Sequence, residues 1–230
     1  MRCRHNAKVT MNKKDSIPSP TRQSLTETRR IYAMVFEQQK TSPPKTILVT
    51  SGWRHEGKTT LTCNLAALSA QEKKKNTLLI DCNWFAPRVH THFNIPELPP
   101  TDAPRIPIPP LHNVANVPGI ENLSVLTAPA LPRSESWKYA HSDENIMAFL
   151  KKTKATYAQV FIDAPSVFPT NRNMNDPMSL SNVVDGVILV SLVNVTSKSK
   201  TKRACCALQA NGAPILGVVA NQWRNPLARS

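Results

Sequence analysis

Residues 46–60 read TILVTSGWRHEGKTT, and the change of pattern within them marks the architecture. Thr46 to Thr50 is a short aliphatic run without strict alternation, as expected of a strand covered on both faces. Lys58 to Gln71 then carries Leu61, Leu65 and Leu68 at helical spacing. Between strand and helix, Gly52 to Thr59 satisfies G-x-x-x-x-G-K-[ST], a match that arises by chance in roughly 1% of chains this long. A loop in that position presents backbone N–H groups and a helix N-terminus to phosphate. Lys58 would reach the β- and γ-phosphates of a nucleotide, and the Thr59 hydroxyl would bind Mg2+.

The same alternation runs through the rest of the chain. Strands are expected at Thr77–Ile80, Leu123–Leu126, Gln159–Ile162, Val187–Val193 and Ile215–Ala220. Helices are expected from Leu25 to Gln39, from Ser142 to Lys152 and from about Ser197 to Ala210, the last stopped near Gly212. Strands separated by helices imply right-handed crossovers, so the fold class is α/β, a doubly wound and mostly parallel sheet flanked by helices. Two strands end in acids: Leu78 to Ile80 runs into Asp81, and Val160 to Ile162 into Asp163. The C-terminal rim of such a sheet is where ligands bind, and a P-loop protein needs an acid there to hold Mg2+.

Bulk composition narrows the remaining choices. The longest apolar stretch, Val187 to Val195, is too short to span a bilayer, and no apolar segment follows Arg2, Arg4 and Lys8 as in a secretory signal. Five cysteines without a C-x-x-C pair fit neither a disulfide framework nor a zinc site and read as reduced, mostly buried thiols. His90, His92 and His112 lack metal-ligand spacing. The net charge of +14 is unusual, and residues 1–45 hold ten Lys or Arg against three acids. A basic arm of this kind suits anionic lipid, nucleic acid or an acidic partner. These features divide the chain into a basic disordered arm over 1–22, a helix and linker over 23–45, and a nucleotide-binding domain over 46–230 with a proline-rich insertion at 96–118.

Taken together, Thr50-Ser51, Glu56-Gly57-Lys58-Thr59-Thr60, Asn64 to Ala66, Leu79 to Asp81, Pro87 with His90, and Ile162-Asp163 with Pro165 resemble the bacterial tyrosine kinases of exopolysaccharide biosynthesis (CpsD/CapB-like). These kinases are relatives of the MinD and ParA ATPases, and the likeness extends from about Ser24 to Trp223. It implies ATP and Mg2+ as cofactors, held by Gly52, Glu56, Gly57, Lys58, Thr59 and Thr60, with Asn221 at the adenine ring. It implies Thr59, Asp81 and Asp163 at the metal, and Lys58, Asp81 and Asp163 as the catalytic set. It further implies a cytoplasmic protein, peripheral at the inner face of the membrane. Its partners would be a membrane-embedded polysaccharide co-polymerase that governs chain length, further copies of itself, and an anionic membrane surface.

The sequence departs from that family at several points. The D-x-D-x-R motif reads Asp81-Cys82-Asn83-Trp84-Phe85, without the second acid and the arginine. Phosphoryl transfer should therefore be slowed. His55 replaces a usual glycine, and Arg54 supplies compensating charge. Glu27-Thr28-Arg29-Arg30 resembles the assembly helix, but Ala33 stands where its last arginine belongs. The three tyrosines, Tyr32, Tyr139 and Tyr157, do not form a C-terminal cluster, so tail autophosphorylation is not expected. The resulting expectation is a kinase-like ATP-binding regulator of exopolysaccharide synthesis or export, with weak or absent tyrosine kinase activity. The alternatives are a non-catalytic scaffold of the same machinery, or a MinD/ParA-type positioning ATPase using Lys198, Lys200, Lys202 and Arg203 on membrane or DNA. Trp53, in place of the lysine typical of the MinD and ParA loops, argues against that branch, and the Glu56-Gly57 loop text disfavours the reading in which nucleic acid is the partner.

Overall fold

A computed structural model describes residues 22–37, 42–83, 86–96, 114–128, 143–168 and 177–222. Residues 1–21 of the basic arm expected over 1–22, most of the proline-rich insertion, Trp84, Phe85, His112, Tyr139, the Ser142 cap and Trp223 lie outside the described residues.

Seven strands form one sheet: β1 (Thr46–Ser51), β2 (Thr77–Asp81), β3 (Val114–Asn116), β4 (Leu123–Leu126), β5 (Gln159–Asp163), β6 (Gly186–Leu192) and β7 (Ile215–Asn221). Their spatial order is β3-β4-β2-β5-β1-β6-β7, and every pairing is parallel except β3 with β4. The doubly wound, mostly parallel sheet expected from the sequence is therefore the observed fold. β1, β2 and β5 are buried at every position, which is why their sequences are aliphatic runs rather than alternating patterns. β3 falls within the proline-rich insertion but lies at the sheet edge, where short strands beside prolines are tolerated.

Each face of the sheet has its own core. On one face α1 (Arg22–Tyr32), a π-helical turn (Ala33–Glu37) and α2 (Lys58–Gln71) cover Ile47, Val49, Leu79 and Phe161. On the other, α4 (Asp143–Thr156), the short α5 (Met178–Ser181) and α6 (Lys198–Ala210) cover Leu48, Leu78, Ile80 and Ile162. Burial of each such side chain stabilises the fold by roughly 1.5–3 kcal/mol. A four-residue α3 (Val89–His92) completes the helices.

α2 has no single apolar stripe. Thr62, Cys63, Leu65, Ala66, Leu68, Ser69 and Ala70 are all buried, because the helix is enclosed by the sheet on one side and by α1 and the π turn on the other. Tyr32 is 1% exposed. Its ring lies 4.4 Å from that of Phe36, and its hydroxyl is 3.5 Å from Ser69 Oγ. The helix expected to run to Gln39 ends its α-helical part at Tyr32, and the following π turn delivers Val35 and Phe36 into the core. In the assembly-like segment, Arg30 pairs with Glu27, and Arg29 makes a forked contact at 2.6–3.1 Å to Glu72, the C-cap of α2. Cys63 and Cys82 are buried as expected, whereas Cys205 is half-buried and Cys206 exposed.

Candidate nucleotide-binding site

The register of the sheet brings the expected residues to one rim. β5 lies between β1 and β2, with Asp163 opposite Val49 on one side and Asp81 on the other. The phosphate loop leaves β1 directly after Ser51 and enters α2 at Lys58. Gly57 is the N-cap of α2 at φ 88°, and a Cβ there would lie 2.1 Å from Asn221 Nδ2. Glycine is thus required both by the left-handed backbone and by the close approach of β7. His55 also sits in the left-handed region, at φ 62°, confirming that its position is one where glycine is the unstrained choice.

The loop is braced from below. Glu56, 2% exposed, accepts from Trp53 N at 2.8 Å through one oxygen, and from Leu192 N at 3.3 Å and the Thr196 hydroxyl through the other. Asn221 Nδ2 donates to the Glu56 carbonyl at 2.8 Å. The segment after β5 is strapped to the loop as well, with Val167 N donating to Ser51 O at 2.8 Å and Phe168 N to Gly52 O at 3.2 Å. Sequence reasoning placed Glu56 and Asn221 at the nucleotide; their side chains are turned to the loop's own scaffold. It missed Leu192 and Thr196 altogether, since nothing in a strand end and a Thr-Ser pair signals a contact made across more than 130 residues.

Lys58, Thr59, Asp81 and Asp163 are brought together. Thr59 Oγ1 donates to Asp163 Oδ2 at 2.7 Å. The other oxygen, Oδ1, is buried and has no hydrogen-bond partner among the described residues, and the same holds for Asn83 Oδ1 and Ser166 Oγ. Burial, then the charge of Asp81, pushes the Asp163 carboxyl up to about 7, against the opposing pull of Lys58 and the Thr59 hydrogen bond. Asp81 is fully buried; desolvation raises its proton affinity, while N–H donation from Asn83, Val89 and Arg88 opposes the rise. Those three bonds, at 2.9, 3.2 and 3.1 Å, occupy both its oxygens and frame the turn into α3. Lys58, 7% exposed, has its proton affinity lowered by burial, against the pull of Asp163 and Glu56.

Buried Lys58, drawn toward Asp163, and a Thr59–Asp163 pair with one carboxylate oxygen unpartnered form a donor set suited to a magnesium–phosphate ligand. Lys58 and the loop N–H groups match phosphate, and Thr59 with Asp163 matches the hard cation.

The family model described as the CobQ/CobB/MinD/ParA nucleotide binding domain matches residues 47–229. The tyrosine-protein kinase YwqD of Bacillus subtilis is 28% identical over 177 residues, covering 77% of this chain and 72% of the kinase. The chimerical protein CapA2B2 superposes with a TM-score of 0.69 at 22% identity, over 87% of this chain and 85% of that one. The septum site-determining protein MinD of Pyrococcus horikoshii, solved with Mg-ADP, superposes with a TM-score of 0.58 at 19% identity, over 78% and 70% of the two chains. The two structural likenesses speak for the fold, and the family match extends the agreement to the sequence of the phosphate loop. This chain belongs to the CobQ/CobB/MinD/ParA family of nucleotide-binding domains.

Proposed function

We propose that the protein binds Mg-ATP and acts as a kinase-like, nucleotide-dependent regulator or partner in exopolysaccharide synthesis or export, with tyrosine kinase output weak or absent. The observation that carries the reading is the Thr59–Asp163 pair beside buried Lys58, with Asp163 Oδ1 lacking a partner. Bound Mg2+ would neutralise charge on the β- and γ-phosphates. Lys58 and the loop N–H groups would hold the phosphates, and Thr59 and Asp163 the metal, with Asp81 adding charge behind them. The polysaccharide role rests on the resemblance to the kinases of that pathway, and the kinase-like reading also on the likeness to the tyrosine-protein kinase YwqD. A co-polymerase partner and contacts between copies are proposed on the same ground.

Two features support slow chemistry. Asn83 stands where the resemblance calls for an acid, and an amide neither accepts a proton nor adds negative charge at the metal. The Asp81 oxygens are already engaged by three backbone N–H groups, leaving that residue poorly placed as a mobile base. The low exposure of Tyr32 adds that this tyrosine is not an acceptor in the folded chain.

Calorimetric titration of the wild type and Lys58→Ala with Mg-ATP, combined with phosphate release on the same samples, tests the proposal. Micromolar binding lost in the variant is expected, with turnover well below the roughly 1–100 per second of protein kinases. Absence of binding in the wild type would leave the scaffold reading instead.

A further inference from the structure

α6 concentrates positive charge without compensation. Lys198, Lys200, Lys202 and Arg203 are all exposed at its N-terminal end, and from Gly186 to Ser230 the sequence holds no Asp or Glu. The ion pairs among the described residues lie at α1, the π turn, the end of α2 and Asp185, and none reaches α6. A helix N-terminus already carries positive partial charge, and like charges one turn apart, as at Lys198 and Lys202, repel. Folding alone favours acids in that first turn, so these cations cost stability that an anionic partner would return.

The surroundings narrow the partner. Lys200 Nζ lies 5.4 Å from the centre of the Trp53 ring, and Arg203 Cζ 4.8 Å from that of Phe168. The two rings are half-buried and 5.1 Å apart, so neither is free to anchor in a lipid interface. The apolar side chains that are exposed beside the lysines are short: Val195 is 72% exposed and Val193 37%, in the turn before Ser197, the N-cap of α6. A nucleic-acid backbone offers phosphate and sugar but no aliphatic partner for them. A second copy of this chain, at net charge +14, would meet the patch with like charge. Carboxylates interspersed with aliphatic side chains match both parts of the surface.

We infer that the N-terminal half of α6, together with Val193 and Val195, is the docking surface for an acidic polypeptide segment of a protein partner, with aliphatic side chains between its carboxylates. The inference goes beyond the nucleotide-binding reading and does not depend on it. A segment docked here lies beside the phosphate loop, because α6 packs against that loop: a Cβ at Gly52 would be 3.4 Å from Ala204 Cβ, and Lys200 covers Trp53.

Fluorescence anisotropy of a labelled peptide of Glu-Glu-Leu repeats, titrated with the nucleotide-free full chain, tests the assignment. The wild type is expected to bind, and more weakly as salt is raised. Lys198→Gln with Lys202→Gln should lower affinity about tenfold and Val195→Ser about threefold, while Lys151→Gln with Lys152→Gln, on exposed lysines of α4, should stay within about twofold. The α6 lysine variant should unfold at no lower a temperature than the wild type, which separates lost binding from lost fold. A lower temperature would show these cations to be structural and overturn the assignment. Equal losses in the two lysine pairs would reduce the effect to net charge and overturn it too, as would a wild type that does not bind the peptide. Titration with phosphatidylglycerol vesicles and with duplex DNA completes the test, since tighter binding to either, lost in the α6 variant, would give the surface to lipid or nucleic acid instead.

Discussion

The two ends of the sheet carry carboxylates in opposite conditions. At the N-terminal rim, Asp185 Oδ2 accepts from Lys45 N at 3.0 Å, Thr46 N at 2.9 Å and Thr46 Oγ1 at 2.7 Å, while Oδ1 accepts from Lys154 Nζ at 2.6 Å. Partial burial alone would raise its proton affinity, but the Lys154 and Thr46 contacts outweigh this and hold it below the ordinary aspartate range. At the C-terminal rim, Asp163 has Thr59 on one oxygen and no hydrogen-bond partner on the other among the described residues, and burial pushes it up to about 7. The first rim is complete as it stands. The second keeps buried polar atoms that a ligand would satisfy, an arrangement that lowers stability in exchange for binding.

Glu56 is the sharpest challenge to that contrast, because it is a fully engaged carboxylate on the ligand rim. Glu56→Ala would strand Trp53 N, Leu192 N and the Thr196 hydroxyl in a partly buried setting, and a loss of about 3 kcal/mol is expected in urea unfolding. Mg-ATP affinity should fall with it, since the loop loses its brace. A variant with unchanged stability would show that the brace is dispensable and that the whole rim, Glu56 included, is there for ligand.

Asp185→Ala should cost less, about 2 kcal/mol, because its site is partly open to water and Lys154 can be rehydrated. Mg-ATP affinity should stay within about twofold of wild type, as the change lies at the opposite end of the sheet. A large loss of affinity with retained fold would break the division of labour between the rims.

The two aspartates should also act oppositely on pH dependence. Asp163 in the folded chain holds its proton up to about 7, whereas the unfolded chain releases it near 3.8. The folded state therefore binds more protons between these values, and its share of stability, complete below the lower value, is lost as pH rises through the upper one. Asp185, with its lowered affinity, contributes stability above the ordinary aspartate range that is lost as pH falls through its folded-state value. Asp163→Asn should flatten the loss toward alkaline pH and stabilise the ligand-free protein by about 1.5 kcal/mol at pH 8. A wild-type profile that rises from pH 5 to pH 8 and is unchanged by the substitution would show Asp163 to be ionised in the free protein.

Much of this was legible in the sequence, for reasons that differ from residue to residue. Buried strands announce themselves as aliphatic runs, so β1, β2, β4 and β5 were located within a residue, and the Gly57-Lys58-Thr59 turn fixed the start of α2. Asp81 and Asp163 were found because each ends such a run, and the sheet register then sets them opposite one another. What escaped was long-range or geometrically small. The Glu56–Thr196 contact depends on how β6 ends beside the loop, and α3 and α5 are four-residue helices with no room for a periodic pattern. The π turn that buries Val35 and Phe36 was read as a continuing α-helix, since its residues are ordinary helix formers.

The smallest expected effect tests whether the ligand rim also stores backbone strain. Lys74, Asn94, Asn122 and Asn194 share the left-handed backbone of His55, but three of these are asparagines, which tolerate it, and none lies in the phosphate loop. His55→Gly would relieve roughly 1 kcal/mol of strain and return part of it through the greater freedom of the unfolded chain. The net gain should be about 0.5 kcal/mol, a rise in unfolding temperature of about 1–2 °C by calorimetry. Removal of the Cβ also opens the loop to phosphate, so Mg-ATP affinity should hold or increase. A fall in both stability and affinity would mean that the exposed imidazole makes a contact with the ligand or the loop that outweighs its strain, placing His55 with the residues retained for binding rather than with those merely tolerated.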